Sequence, residues 1–282
     1  MMGAAVGDLV HLCEETVLGL AARNLRRRPN DQFALLAGLY NGDPSGARFT
    51  GLEEIKDPAG INFRLKDPPL LMAEAQYMYN QDKTAQGLAG IFKLGGWYHF
   101  GKFDDVHFGL DGKSLADPSS DGVPRSHTGD YGVYGVIDHM LWRLPGDDPK
   151  KGVGAFARAA LSPSDRNLMD LYADAGLKFL GLWDERPGDS FGLAASYSQL
   201  SPGLREVDSE TAFFFTNTAL PLRNYELVVE LTYQALVVDG WTIQPDFQYI
   251  FHPGGGVIDP INPFIGRIRD AAVFALRTAI SF

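Results

Sequence analysis

The chain has 282 residues, 45% of them hydrophobic and 12% aromatic, and a formal net charge of −10 at pH 7. That charge argues against a nucleic-acid partner, for which a basic face is expected, and the one cysteine, Cys13, excludes an internal disulfide framework and a cysteine-based zinc site. No run of about 18 apolar residues occurs, so no transmembrane helix is expected, a test that a β-barrel escapes because only alternate residues meet lipid.

Residues 1–24 lack a basic n-region, and Asp8, Glu14 and Glu15 interrupt any apolar stretch, so they do not read as a secretory leader. They are expected to lie outside the single unit formed by 25–282. From Phe33 onward, alternating apolar and polar residues predict strands at about 27–41, 70–80, 87–101, 130–143, 152–162, 168–183, 190–200, 222–237, 241–252 and 270–282. No convincing helix separates these ten segments, which excludes a parallel α/β fold and implies an antiparallel meander. Most segments are long enough for a tilted membrane strand of about 9–11 residues.

Parity assigns faces in the late strands. Leu227, Val229 and Leu231 oppose Glu226 and Glu230, and Phe247 and Tyr249 oppose Gln244, Asp246 and Gln248. In the last strand Ala272, Phe274, Leu276, Ile280 and Phe282 oppose Arg277 and Ser281. A strand ending on an aromatic carboxy-terminus is similar to the closing strand of bacterial outer-membrane barrels, and that likeness makes Phe282 the signal for the barrel-insertion machinery.

The connections sort by length. Those at 42–69, 102–129, 201–221 and 253–269 are long, those at 81–86, 144–151, 184–189 and 238–240 are short, and the two kinds fall at opposite ends of the strands. Only 163–167 is a short connection at the long-loop end. Membrane barrels have this asymmetry, with short periplasmic turns and longer outer loops. Trp142, Trp183 and Trp241 sit beside short turns, and Trp97 lies nearer the other end, as an interfacial aromatic belt would.

Five segments resemble the carbohydrate-selective porin family, often called the OprB type: RRRPNDQFALLAGLYNGDP (26–44), YGVYGVIDHMLWR (131–143), FARAALSPSDRNLMDLYADAGLKF (156–179), YELVVELTYQALVVDGWTIQPDFQYIFHPGG (225–255) and the closing strand with its preceding IDPINP (258–263). The resemblance implies an all-β, antiparallel transmembrane barrel in the outer membrane, sixteen-stranded in the family, through which sugars diffuse. It further implies contact with outer-membrane lipid, no catalysis and no cofactor. Ten strands and the odd start make this chain read as an amino-terminally truncated member, expected to form an open, curved sheet that conducts sugars poorly.

A sugar-conducting lumen needs side chains that exchange hydrogen bonds with hydroxyls, and aromatic faces for the apolar side of a pyranose. Candidates for contact with mono- or small oligosaccharides are Glu74, Gln76, Lys93, His99, Arg158, Asp170, Tyr172, Asp174, Lys178, Glu226, Glu230, Gln244, Asp246, Gln248 and Arg277. The blander reading is that most of them only solvate the lumen or pair across strands. Asp138 and His139 have opposite parity, so one of them must break the alternation or sit at a rim.

Other motifs carry less. The GxGxxA pattern at 152–157 is not followed by a helix, so a dinucleotide site is rejected. Asn41, Asp43, Ser45 and Gly46 resemble the start of a calcium loop, but position twelve is Leu52, with Glu53 one residue late, and a turn is the better reading. No histidines have metal spacing. Asp170/Asp174 and Glu226/Glu230 could suggest a two-carboxylate glycosidase, but four residues along a strand separate them by about 13 Å. An outer-membrane barrel enzyme and a non-transporting barrel fragment or soluble β protein remain the alternatives to a pore.

Overall fold

The computed structural model of the protein describes residues 23–27, 30–43, 66–82, 85–146, 148–215, 220–261 and 266–281. Eleven strands follow one another in sequence order: β1 (Arg23–Arg27), β2 (Phe33–Asn41), β3 (Pro69–Tyr79), β4 (Gly90–Gly109), β5 (Pro124–Arg143), β6 (Gly152–Leu161), β7 (Met169–Leu180), β8 (Ser190–Leu200), β9 (Tyr225–Val238), β10 (Trp241–Phe251) and β11 (Ala271–Ile280). Every neighbouring pair is antiparallel. Among the described residues β1 and β11 are the two edges of one open sheet. The all-β antiparallel meander is therefore as expected, and so is its failure to close.

Two details differ. The predicted strand 27–41 starts late, at Phe33, and an unpredicted strand, β1, precedes it; between them Asn30 Oδ1 accepts the backbone N–H groups of Gln32 (2.9 Å) and Phe33 (2.8 Å) in a turn. Residues 23 and 24 already pair with Leu39 and Gly38, so the sheet begins by residue 23, whereas residues 1–22 and Phe282 lie outside the described residues. The connection predicted at 201–221 also contains a helix, α1 (Pro202–Phe215). Pro202 opens it where no intrahelical N–H is needed, and Leu204 is its buried apolar contact. A tight turn, Pro253–Gly256, follows β10, with Gly254 and Gly255 at φ +65° and +78°.

β4 and β5 run well past their predicted ends. β3 ends at Leu70 and Pro69, and Leu70 lies opposite His99, so β4 beyond residue 99 projects past its neighbour. Register shifts after His99 and after Asp104 interrupt the two-residue period there, which hides the strand from a pattern search. At the opposite end the Asp239-Gly240 turn links β9 to β10. Gly240 has φ +82°, and a Cβ there would lie 2.6 Å from the Ser281 carbonyl oxygen.

Unbroken register over most of the sheet gives it two chemically distinct faces. One carries Phe33, Tyr77, Phe92 and Ile137 across β2–β5, and Leu193, Leu231, Phe247 and Phe274 across β8–β11. Most of these side chains are bare: Phe92 is 45% exposed and Phe274 80%. Buried apolar residues among those described are only Ala34, Ala116, Leu204 and Val228, so no second layer forms a core, and a soluble sandwich is excluded. Aromatic rings crowd both ends of the apolar face. Phe33–Tyr77 (4.8 Å between centroids), Phe179–Phe191 (5.7 Å) and Trp183–Tyr233 (6.3 Å) lie toward the short turns, while Tyr98–Phe100 (4.7 Å) and Tyr197–Tyr225 (5.4 Å) lie toward the long loops. Paired girdles of this kind mark the two interfaces of a membrane strand layer.

Trp142, Trp183 and Trp241 fall at the short-turn end, as expected. Trp97 is a correction: it pairs with Met72 and Gly132 on the polar face, and its indole lies against Gly132, so it is not part of an interfacial belt. The Asp138/His139 ambiguity also resolves. Asp138 keeps the polar parity of Tyr134 and Val136, and His139 lies on the apolar side at the short-turn rim, where its Nδ1 is 3.1 Å from the Tyr79 hydroxyl.

Candidate functional site: the polar face of the sheet

The register collects the predicted residues on the face opposite the bare apolar one. One row reads Glu74, Gly95, Tyr134, Ala160, Tyr172, Ser198 and Glu226 across β3–β9. The next reads Gln76, Lys93, Val136, Arg158, Asp174 and Ser196. Toward the short turns follow Glu230 with Gln248, then Lys178 with Thr232 and Asp246, then Gln244 with Arg277.

Three clusters stand on this face. On β3–β5, Glu74 accepts from Gln76 Nε2 (2.5 Å) and from the Tyr134 hydroxyl (2.8 Å). Tyr134 reaches it by lying across Gly95, where a Cβ would collide with the ring. On β6–β7, Arg158 Nε donates to both Asp174 oxygens (2.8 and 3.0 Å), and Nη2 donates to Oδ2 as well. The Tyr172 hydroxyl donates to the same oxygen at 3.0 Å. Asp174 is almost covered, with a side chain 6% exposed against 21% for Arg158. With Oδ2 engaged three times and the carboxylate covered, the surface a solute meets here is the guanidinium edge and the phenol. Arg158 also lies over Phe156, at 5.7 Å. On β9–β10, Gln248 Nε2 donates to Glu230 Oε2 and Gln244 Nε2 to Thr232 Oγ1, both at 2.8 Å.

The remaining candidates are dispersed. Lys93 lies between Gln76 and Val136, Lys178 between Gly154 and Gly192, and Arg277 opposite Gln244, and none of the three forms an ion pair among the described residues. Asp170 accepts from Gln199 Nε2 at 3.3 Å beside a register shift. Glu226 takes the Gly254 N–H at 2.7 Å. His99 is committed to backbone, with Nε2 2.8 Å from the Gly42 carbonyl oxygen and Nδ1 accepting the Gly101 N–H at 2.9 Å. Asn41 makes the expected turn, its Oδ1 accepting the Asp43 N–H at 3.0 Å, while Ser45, Gly46, Leu52 and Glu53 lie outside the described residues.

Sequence reasoning missed Tyr134 and Thr232. Parity with Asp138 would have found Tyr134, and parity with Glu230 places Thr232. It also missed a polar assembly at the long-loop end. Asp105, on the projecting part of β4, is fully buried and accepts the N–H groups of His107 (2.9 Å) and Phe108 (2.8 Å), Arg125 Nε (3.2 Å) and Nη2 (2.6 Å), and stands 2.8 Å from His127 Nε2. Burial alone would raise this carboxyl. The two amide hydrogens, then Arg125 and His127, outweigh that and hold it well below the usual carboxylate range. Arg166 Nη1 donates to the Gly129 carbonyl at 2.5 Å and its Nε to Asp165 at 2.8 Å, and Asn167 donates to Asp130 at 2.8 Å. Arg223 forks onto Asp208 of α1, at 2.7 Å from Nη2. Among the described residues, the long-loop ends of β4 and β5 are thus tied to the β6–β7 connection, and α1 to the start of β9.

With this geometry the known proteins that resemble the chain can be compared. A family model described as carbohydrate-selective porin, OprB family, matches residues 18–282. Porin B of Pseudomonas aeruginosa is 28% identical over 197 residues, covering 67% of this chain and 42% of Porin B. The high-pH structure of Pseudomonas putida OprB aligns with a TM-score of 0.76 at 23% identity, covering 93% of this chain and 58% of that one. The chain therefore spans roughly half the length of these relatives, and the likeness to the solved structure carries the fold.

Proposed function

Because the chain belongs to the carbohydrate-selective porin (OprB) family, we propose that its sheet is part of the wall of an outer-membrane pore through which mono- and small oligosaccharides diffuse passively. The observation that carries this reading is the division of one sheet into a bare apolar face and a face of paired carboxylates, amides, phenols and guanidinium. The apolar face with its aromatic girdles contacts lipid, and the polar face lines water. Sugar hydroxyls exchange water for the outer edge of Arg158, the Tyr134 and Tyr172 hydroxyls, and the amides of Gln244 and Gln248. Lys93, Lys178 and Arg277 supply donors between the clusters. Such contacts are individually replaceable by water, as conduction requires. In this reading the chain is a channel and not an enzyme, it needs no cofactor, and Phe282 presents it to the insertion machinery. Among the described residues β1 and β11 are the unpaired edges, which are costly in a bilayer, so flux through the chain alone is slower than through a closed relative.

Liposome swelling tests the reading. The purified chain is inserted into vesicles, insertion is verified by protease protection, and glucose and maltose are compared. Swelling faster than in protein-free vesicles, and faster for glucose than for maltose, is the expected result. Rates equal to those of protein-free vesicles, with inserted protein, refute it.

A further inference from the structure

Among the described residues, two histidines at the long-loop end each stand between two carboxylates. His107 on β4 has Nδ1 2.9 Å from Glu206 Oε2 and Nε2 3.1 Å from Glu210 Oε2. Glu206 and Glu210 are one turn apart on α1 and so share a face. The His107 side chain is only 9% exposed. His127 on β5 has Nε2 2.8 Å from Asp105 Oδ2 and Nδ1 3.7 Å from Asp165 Oδ2.

The arithmetic of donors makes the His107 arrangement conditional. An ionised carboxylate only accepts, and a neutral imidazole has a single N–H, so it can satisfy one glutamate and must turn a lone pair toward the other. Only the imidazolium donates to both. We propose that His107 is a proton-operated clasp that fixes α1 to the projecting β4–β5 hairpin. The clasp is complete with the imidazolium and loses one bond, and its charge pairing, when the ring is neutral.

The surroundings favour this assignment. Of the other charged groups near His107, Asp105 takes its backbone N–H but is itself neutralised by Arg125, 2.6 Å away. Arg125 stands over Phe108, 5.4 Å from the ring centroid, and the His107 ring packs on that same ring at 4.0 Å. Asp165 is paired with Arg166. The uncompensated charges facing the imidazole are therefore the two glutamates. Remaining ties of α1 do not involve His107's side-chain charge: Asp208 binds Arg223, the Ser201 hydroxyl donates to the Asn167 carbonyl, and Gly203 packs against Val106 and the His107 stem. Deprotonation thus loosens the face of α1 turned to β4 while its other anchor stays. The inference rests on these distances and is independent of which solute passes.

Hydrogen–deuterium exchange on the full chain in lipid tests it, at pH 5 and pH 8 after correction for intrinsic exchange. Protection of residues 203–215 should fall several-fold at pH 8, while β9 and β10 stay unchanged as an internal control of folding. His107→Gln should abolish the pH dependence and leave α1 at its less protected level. The double variant Glu206→Gln/Glu210→Gln should also abolish it but keep α1 protected at both pH values, since an amide can accept from or donate to neutral imidazole. Unchanged protection of the wild type, or the same pH dependence in either variant, overturns the proposal.

Discussion

Arginine placed at Val229 tests the assignment of faces. Val229 pairs with Ala195 and Tyr249 on the apolar side of β9. It stands four residues in from Tyr225, the long-loop end of the strand, which is about 14 Å along a strand rising about 3.4 Å per residue. At a tilt of about 40° that becomes a depth of about 10 Å, close to the middle of an apolar band about 25 Å tall. A guanidinium there is too deep to reach water without distorting the bilayer. The expected cost of Val229→Arg is about 2–4 kcal/mol, a factor of about 30 to 1,000 in the folding equilibrium. The neighbouring Glu230→Arg loses the 2.8 Å bond from Gln248 but places its cation on the wet face near Asp246, so its cost should stay below about 1 kcal/mol. Urea titration of folding into lipid vesicles, followed by tryptophan emission, measures both. Equal tolerance at the two positions would refute the facing, and with it the lipid–lumen division on which the pore reading stands.

Arg158→Ala leaves the almost buried Asp174 without its cation and should destabilise the sheet by about 3–5 kcal/mol, whereas Arg158→Ala/Asp174→Ala should cost less than the single change, as read by the same titration. Asp105 gives a pH dependence opposite in sign to the His107 clasp. A carboxyl held below its unfolded value contributes stability fully above about pH 4 and loses it as pH falls further, so in the His107→Gln chain, where the clasp is absent, exchange protection in 100–128 should hold from pH 7 to about 4 and fall only below. Asp105→Asn should lower that protection throughout the range. Gly240→Ala forces a Cβ into a left-handed turn and against the Ser281 carbonyl. It should cost about 1–2 kcal/mol, seen as faster exchange at the β9–β10 turn, and no change there would mean that the turn relaxes.

The amino-acid sequence by itself determined the all-β meander, the alternation of long and short connections, and the common face of Glu230, Asp246, Gln248, Arg158 and Asp174. These follow from a two-residue period that needs no partner strand to be read. The pattern also placed Trp142, Trp183 and Trp241 beside the short turns. Only the tertiary structure decided the rest. The Asn30 turn, where a single side chain takes two backbone hydrogens, sets the start of β2 at Phe33 and lets β1 pair before it. Register shifts after His99 and Asp104 break the period, and the projection of β4 and β5 is invisible without the opposing strand. Pairing with Met72 and Gly132 turned Trp97 to the polar face, and backbone contacts withdrew His99 from it. α1 has little periodic signal, and it is tied by Glu206, Asp208 and Glu210 to residues far away in the chain. Local periodicity reports which face a residue takes, but contacts between distant polar groups exist only once the sheet has brought its loops together.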